Sequence, residues 1–343
     1  MGGLGAAGLA LQQHSLQAAQ AITPMEKRRD KIALEEHFSI EELLPSQDEL
    51  TFFNPKLLDN IEPLLPELSE KRLDKMNKSG IEIAVLSQTG PGIQGVINTH
   101  DASGLAILAN NALHRAVQQH PKRFRGFAAL NLQDIDTACS ELKRCVNELG
   151  FVGALVNGST QGMYLDDARL DPLWTTLEEL DVPLYLHPGI PTDQPASMVE
   201  ELEGATWAWS FDTATHALRL IVKGIFEKHP RAKVILGHMG ENLPFYLWRL
   251  DSRYAITKYK NNLSQTPSTI FRNHFFITTS GVCDNGALLC SIASMGANRI
   301  MFATDYPYED IVLAGSWIDQ APIDPEAKTL ITRGVAQELL HLG

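Results

Sequence analysis

The chain has 343 residues, 44% of them hydrophobic and 20% charged, which supplies ample apolar material for a large core. Its formal net charge is −12, from 29 basic and 41 acidic residues, and this acidic balance argues against nucleic acid and anionic membrane as partners. No apolar stretch approaches the ~20 residues that span a bilayer, and Cys139, Cys145, Cys283 and Cys290 form no C-x-x-C pair of the kind a zinc knot or disulfide framework would need.

From the N-terminus, Gly3 to Ala21 has a short apolar centre and ends in small residues. It reads as a flexible leader or as the remnant of an export signal lacking its basic end. Residues 1–28 are therefore set apart from a single folded domain over 29–343. Without an export signal the chain is expected in the cytoplasm; with one, in the periplasm.

The first strand-like run, "KIALEEHF" (31–38), poses a physical question. Glu35, Glu36 and His37 follow an apolar stretch, where burying charge is costly. Side chains two apart on a strand share a side, so Glu35 and His37 face one way and Glu36 the other. Seven further apolar runs follow: 81–89, 124–132, 150–158, 182–189, 232–240, 274–281 and 299–307. They are continuous in polarity rather than alternating, the pattern of parallel strands covered on both faces.

Helical stripes separate most of these runs. Apolar residues of 105–120 and 217–229 recur at i, i+3 and i+4. His120 and His229 stand before prolines at the ends of these stripes, as C-terminal residues favoured by the helix dipole. Eight strands alternating with helices is the signature of a (β/α)8 TIM barrel, α/β in class. Two connections are long, Ser39 to Gly80 after strand 1 and Ile190 to Phe211 after strand 5. The second carries Trp207, Trp209 and Phe211, suited to a pocket for a flat apolar substrate or to a subunit interface.

In such a barrel the C-terminal strand ends meet at one mouth. Glu35 and His37 end strand 1, His187 strand 5, His238 strand 6 and Asp305 strand 8. Glu35, His37, His187 and Asp305 make a shell of two imidazoles and two carboxylates for one divalent ion. Such a shell suits Zn²⁺, Mn²⁺ or Mg²⁺. The bound charge would offset the burial of Glu35 and Asp305, which answers the question raised by the first strand.

The motifs "ALEEHF", "LGFVGALVNG", "PLYLHPG", "TATHALRLI", "ILGHMGENLPFYLWRLDSR", "HFFITTSG" and "ATDYPYE" run in order over about residues 31 to 310. Together they resemble the metal-dependent amidohydrolase superfamily, in its aromatic acid decarboxylase branch (γ-resorcylate and 2,3-dihydroxybenzoate decarboxylases). Most hydrolases of the superfamily carry H-x-H on strand 1, whereas Glu35-Glu36-His37 matches the E-x-H variant of the γ-resorcylate subgroup. The resemblance implies metal ligation by Glu35, His37, His187 and Asp305. It implies that His238 and Glu241 act together beside the metal, with Glu241 orienting the imidazole. It also implies that Arg249 helps form the site, of its own or a neighbouring subunit; the other reading of Arg249 is a surface ion pair with Asp251 or Glu241. Phe52 and Phe53 are candidate ring contacts or core residues.

The implied reaction is reversible, non-oxidative decarboxylation of an ortho-hydroxybenzoate such as 2,6- or 2,3-dihydroxybenzoate. Asp305 is the expected proton donor to the ring carbon, and no organic cofactor is needed. The alternative is a hydrolase in which the same metal activates water against a lactone, ester or amide. A small aromatic acid is the expected partner, and the resemblance implies a homodimer or homotetramer.

Overall fold

The computed structural model describes residues 29–45, 55–191 and 197–343. Strand β1 (Lys31–Phe38) pairs with β2 (Ile81–Gln88), and β2 with β3 (Phe124–Gly126). A second sheet runs in order through β4 (Ala128–Ala129), β5 (Ala154–Asn157), β6 (Leu184–His187), β7 (Val234–Leu236), β8 (Phe275–Thr278) and β9 (Ile300–Met301). Every pairing is parallel. The third predicted run is one wall strand interrupted at Phe127, whose N–H still donates to the Leu86 carbonyl at 2.9 Å. At the other edge Leu34 bridges Ala303 in parallel, and the Leu34 N–H donates to Phe302 at 3.1 Å. Eight wall positions thus form the (β/α)8 barrel.

The predicted runs locate every strand; the first, 31–38, coincides with β1, and the others overstate the strand length. The run 299–307, for instance, is ladder-paired only over Ile300–Met301.

Strand alternation divides the core in two. Ile32, Leu34, Ile83, Val85, Leu155 and Ile235 belong to the inner cluster, while Ala33, Ala84, Leu86, Val156 and Leu236 pack outward against the helices. Val335, Ala336, Leu339, Leu340 and Leu342 join the inner cluster and seal the floor of the barrel. Removing this apolar surface from water is the main source of stability, at roughly 25 cal/mol per Å².

The outer helices start where side chains cap them. Asn98 accepts from the His100 and Asp101 N–H groups, so the helix predicted over 105–120 begins at Thr99 and runs to Gln119. His120 is its C-cap residue. The stripe predicted over 217–229 belongs to helix Ala208–Val222 and a separate turn, Ile225–Lys228, divided at Gly224 with φ 75°. His229 is the C-cap residue of that turn, as expected, and also lies between Asp171 (3.1 Å) and Glu178 (3.3 Å). The connection after β1 folds into helices Pro55–Ile61 and Glu70–Ser79. Among the described residues no helix is long and apolar enough to cross a membrane.

Candidate metal centre

The site begins with an irregularity in β1. Ala33 pairs with Ala84 but Glu36 pairs with Leu86, so β1 holds one residue more than its partner. The chain turns through the left-handed region at Glu35, φ 55°. Simple alternation from Ile32 and Leu34 would send Glu36 inward and Glu35 outward. The bulge shifts the phase by one. Leu34 and Glu35 both face inward, Glu36 turns out, and His37 returns to the interior.

Glu36 is satisfied on the outer side: the Thr304 N–H and hydroxyl donate to its Oε1 at 3.1 and 2.8 Å. Burial, against those bonds and the charge of Arg72, pushes its carboxyl up to about 8. Arg72, from helix Glu70–Ser79, is fully buried and donates to the His37 carbonyl at 2.7 Å.

Glu35, His37, His187 and Asp305 each present one ligand atom, all within 4.8 Å of one another. His37 Nε2 lies 3.1 Å from Asp305 Oδ1. His187 Nδ1 donates to the Pro188 carbonyl at 2.8 Å, which fixes the tautomer and leaves the Nε2 lone pair facing the cluster. Burial, reinforced by the imidazoles of His37 and His238, holds His187 well below its ordinary range, so it is neutral. Glu35 Oε1 is buried without a hydrogen-bond partner, 3.4 Å from Nε2 of both His187 and His238. A buried carboxylate oxygen left unbonded among nitrogen and oxygen donors is costly in a native fold. A divalent cation fits it by charge and by donor type.

His238 and Glu241 stand at the edge of this cluster. They were expected to be neighbours on a regular helix. Instead Met239, Gly240, Glu241 and Asn242 all have left-handed φ, and the helix proper begins at Leu243 and runs to Tyr254. The tight turn still joins the pair: His238 Nδ1 donates to Glu241 Oε1 at 2.7 Å, and the Ser210 hydroxyl donates to Oε2 at 2.6 Å. Burial opposes charge on His238, but Glu241, Glu35 and Asp305 outweigh it and carry the imidazole well above its ordinary range. Burial likewise opposes charge on Asp305, yet His238 and His37 hold its carboxyl below the usual carboxylate range. The proton shared by this pair therefore resides on His238, whose Nε2 lies 3.7 Å from Asp305 Oδ2.

Gly237 leaves room for these groups. A Cβ at Gly237 would lie 2.7 Å from a Glu35 carboxylate oxygen. Beside the cluster opens a cavity of about 290 Å³, lined by His187, His238 and Asp305 together with Trp209, Tyr308 and Glu309. Its size suits a single substituted ring. The Tyr308 hydroxyl is 2.7 Å from Thr89 Oγ1, which follows β2.

The expected residues divide as follows. Glu35, His37, His187, Asp305, His238 and Glu241 converge. Of the three loop aromatics Trp209 lines the cavity, while Trp207 and Phe211 are about half exposed at 46% and 45%. Arg249 is exposed on helix Leu243–Tyr254 beside Phe245 and Trp248. Neither carboxylate suggested for it is its partner among the described residues: Asp251 takes the Ser268 hydroxyl at 2.6 Å, and Glu241 is held by His238 and Ser210. Phe52 and Phe53 lie outside the described residues. Sequence reasoning missed Tyr185, Thr278, Ser280, Ser210 and Tyr308. Tyr185 stands two residues before His187 on the same strand and so shares its inward face, a signal that was there to read.

The amidohydrolase family profile matches residues 84–342. A γ-resorcylate decarboxylase of a Polaromonas species is 42% identical over 323 residues, covering 91% of this chain and 98% of that protein. The γ-resorcylate decarboxylase of Rhodococcus jostii is 41% identical over 326 residues, covering 91% and 98%. Among solved structures, a 2,6-dihydroxybenzoate decarboxylase complexed with 2,6-dihydroxybenzoate superposes with a TM-score of 0.87 at 41% identity, covering 92% of this chain and 100% of that one. A Polaromonas dihydroxybenzoic acid decarboxylase with bound manganese and the inhibitor 2-nitroresorcinol gives 0.86 at 41% identity, covering 92% and 97%.

Proposed function

Because the chain belongs to the amidohydrolase family, we propose that it is a metal-dependent decarboxylase of ortho-hydroxybenzoates, with 2,6-dihydroxybenzoate (γ-resorcylate) or a near analogue as substrate. One observation carries this reading: four ligand groups, three of them buried, and the His238–Glu241 pair meet at a ring-sized cavity, in a chain 41–42% identical to γ-resorcylate decarboxylases.

Glu35, His37, His187 and Asp305 would hold one divalent ion per subunit, with manganese the first to test since a similar solved structure contains it. When bound, the ion supplies positive charge that anchors the substrate's carboxylate and ortho oxygen and favours the carbonyl-like form of that oxygen. The chain's own residues move the proton. Losing CO₂ directly from an aryl carbon would leave an unstabilised carbanion, so that carbon must be protonated first. The proton held on His238, which Glu241 orients, passes to Asp305, and Asp305 delivers it to the carboxylate-bearing carbon. The bond to the carboxylate then breaks, its electron pair restores the aromatic ring, and CO₂ departs. One solvent proton is consumed for each CO₂ released. The same groups run the reaction backward at high bicarbonate.

Among the described residues, the cavity lining contains no lysine or arginine. Phe245 and Trp248 are 84% and 79% exposed on the helix that carries Arg249. Both features support self-association as a homodimer or homotetramer, with Arg249 at or near the shared face. Four free cysteines fit a reducing compartment, and we place the protein in the cytoplasm.

The direct test strips the protein of metal and assays it with Mn²⁺, Zn²⁺ or Mg²⁺ against a panel of hydroxybenzoates and a lactone. CO₂ release from 2,6-dihydroxybenzoate that returns only with metal is the expected result. Acid release from the lactone without CO₂ from any hydroxybenzoate would assign the hydrolase alternative instead.

A further inference from the structure

We propose that Tyr185 is a positioning residue for the metal, standing at the head of a column of hydroxyls that holds Glu35 with one oxygen free. The inference rests on the metal reading above. The Tyr185 hydroxyl donates to Glu35 Oε2. Thr278 Oγ1 lies 3.2 Å from the same oxygen and 2.8 Å from the tyrosine oxygen. Ser280 Oγ lies 3.0 Å from Thr278 Oγ1 and accepts the His238 N–H at 3.0 Å. Tyr185, Thr278, Ser280 and Glu35 are all inaccessible to solvent.

The proton count in this column has one economical solution. The serine oxygen takes the His238 N–H, so the serine proton goes to Thr278. The threonine proton goes to the tyrosine oxygen, its nearer acceptor at 2.8 Å, and the Tyr185 proton goes to Glu35. Each hydroxyl donates once, and every bond points toward the carboxylate. Oε2 is then held by Tyr185 while Oε1 has no partner. A carboxylate so held is fixed in orientation and aimed, which is what a ligand needs from the groups behind it. The column also ties the ligand to the backbone of His238, so the metal shell and the proton-bearing imidazole share one support.

The test titrates metal-stripped protein with Mn²⁺ and follows free Mn²⁺ by electron paramagnetic resonance, with thermal melts of the stripped proteins alongside. Tyr185→Phe keeps the ring and removes the donor; it should weaken Mn²⁺ affinity by about 10–100-fold. Thr278→Val should give a smaller loss in the same direction. A purely structural role would lower the melting temperature and leave the Mn²⁺ affinity alone. Folded Tyr185→Phe binding Mn²⁺ within twofold of wild type overturns the inference while sparing the metal reading. Should Tyr185→Phe fail to fold, unchanged affinity in Thr278→Val overturns it equally. Wild-type protein that binds no Mn²⁺, Zn²⁺ or Mg²⁺ removes the metal reading and this inference with it.

Discussion

The two ends of the barrel follow opposite rules. At the floor, the inner side chains are apolar, and Leu339 and Leu342 close over them at 5% exposure. At the mouth, six of the nine described non-glycine residues with positive φ are gathered: Glu35, His238, Met239, Glu241, Asn242 and Asp305. Each such residue costs on the order of 1 kcal/mol or more. Glu35 Oε1 and His37 Nδ1 are also buried there without partners. The floor and outer shell hold the fold together, and the mouth draws on that stability to keep reactive groups in unfavourable places. A single strand, β1, serves both ends, with Ile32 and Leu34 toward the floor and Glu35 and His37 at the mouth.

Substitutions at the two ends should therefore separate chemistry from stability. The largest effect is expected for Asp305→Asn, which removes the proton donor. Turnover should fall by about 10³-fold or more, while the fold remains and some Mn²⁺ still binds. Near-normal kcat in this variant would take Asp305 out of that role. Gly237→Ala places a methyl 2.7 Å from the Glu35 carboxylate. It should weaken Mn²⁺ binding by at least about 10-fold through the displaced ligand, as read by metal titration. At the floor, Leu339→Ala should cost about 2–5 kcal/mol of unfolding free energy and leave kcat and Mn²⁺ affinity within twofold. A floor substitution that altered metal affinity would break the division drawn here.

The smallest effect contrasts two buried imidazoles. His238 is charged at the mouth, whereas His216 in the outer shell accepts the Leu165 N–H through Nε2 at 2.7 Å and must be neutral. Burial, aided by Arg219, pushes its imidazole down to about 3. A folded-state value below the unfolded one means that its contribution is complete above pH 6.5 and is lost as pH falls toward 3. Across that window wild type should lose up to about 1.4 kcal/mol per pH unit through this group. His216→Gln, which retains an acceptor, should show a correspondingly shallower acid limb in denaturant titrations.

The convergence of Glu35, His37, His187, His238 and Asp305 was legible because strand direction alone sends strand ends to one mouth, and few residue types there can bear metal or proton chemistry. The (β/α)8 order was legible from continuous apolar runs alternating with amphipathic stripes. The bulge in β1 was not, because an extra residue in a ladder has no composition of its own; the pairing of Glu35 with His37 survived because alternation resumes from Glu35, which itself ends the bulge. The turn at His238–Asn242 was hidden because its left-handed residues are mostly not glycine. Tyr185, Thr278 and Ser280 escaped because a hydroxyl inside a strand looks like ordinary core until its acceptor is known. Trp209 and Trp207 are two apart, yet only the first lines the cavity. Helix Ala208–Val222 begins between them and turns the side chains by its own period.

The extra residue in β1 also gives the chain an unequal tolerance to length mutation. Loss of one codon between Ile32 and Glu35 would cancel the offset and leave plain alternation, with Glu35 and His37 still facing inward and Glu36 outward. Such a strand would keep its metal-facing set and lose only a leucine or an alanine from the wall. The same loss from β7, three residues long and entirely apolar, would instead remove a rung of the wall. A deletion scan would thus distinguish a strand with a residue to spare from one without.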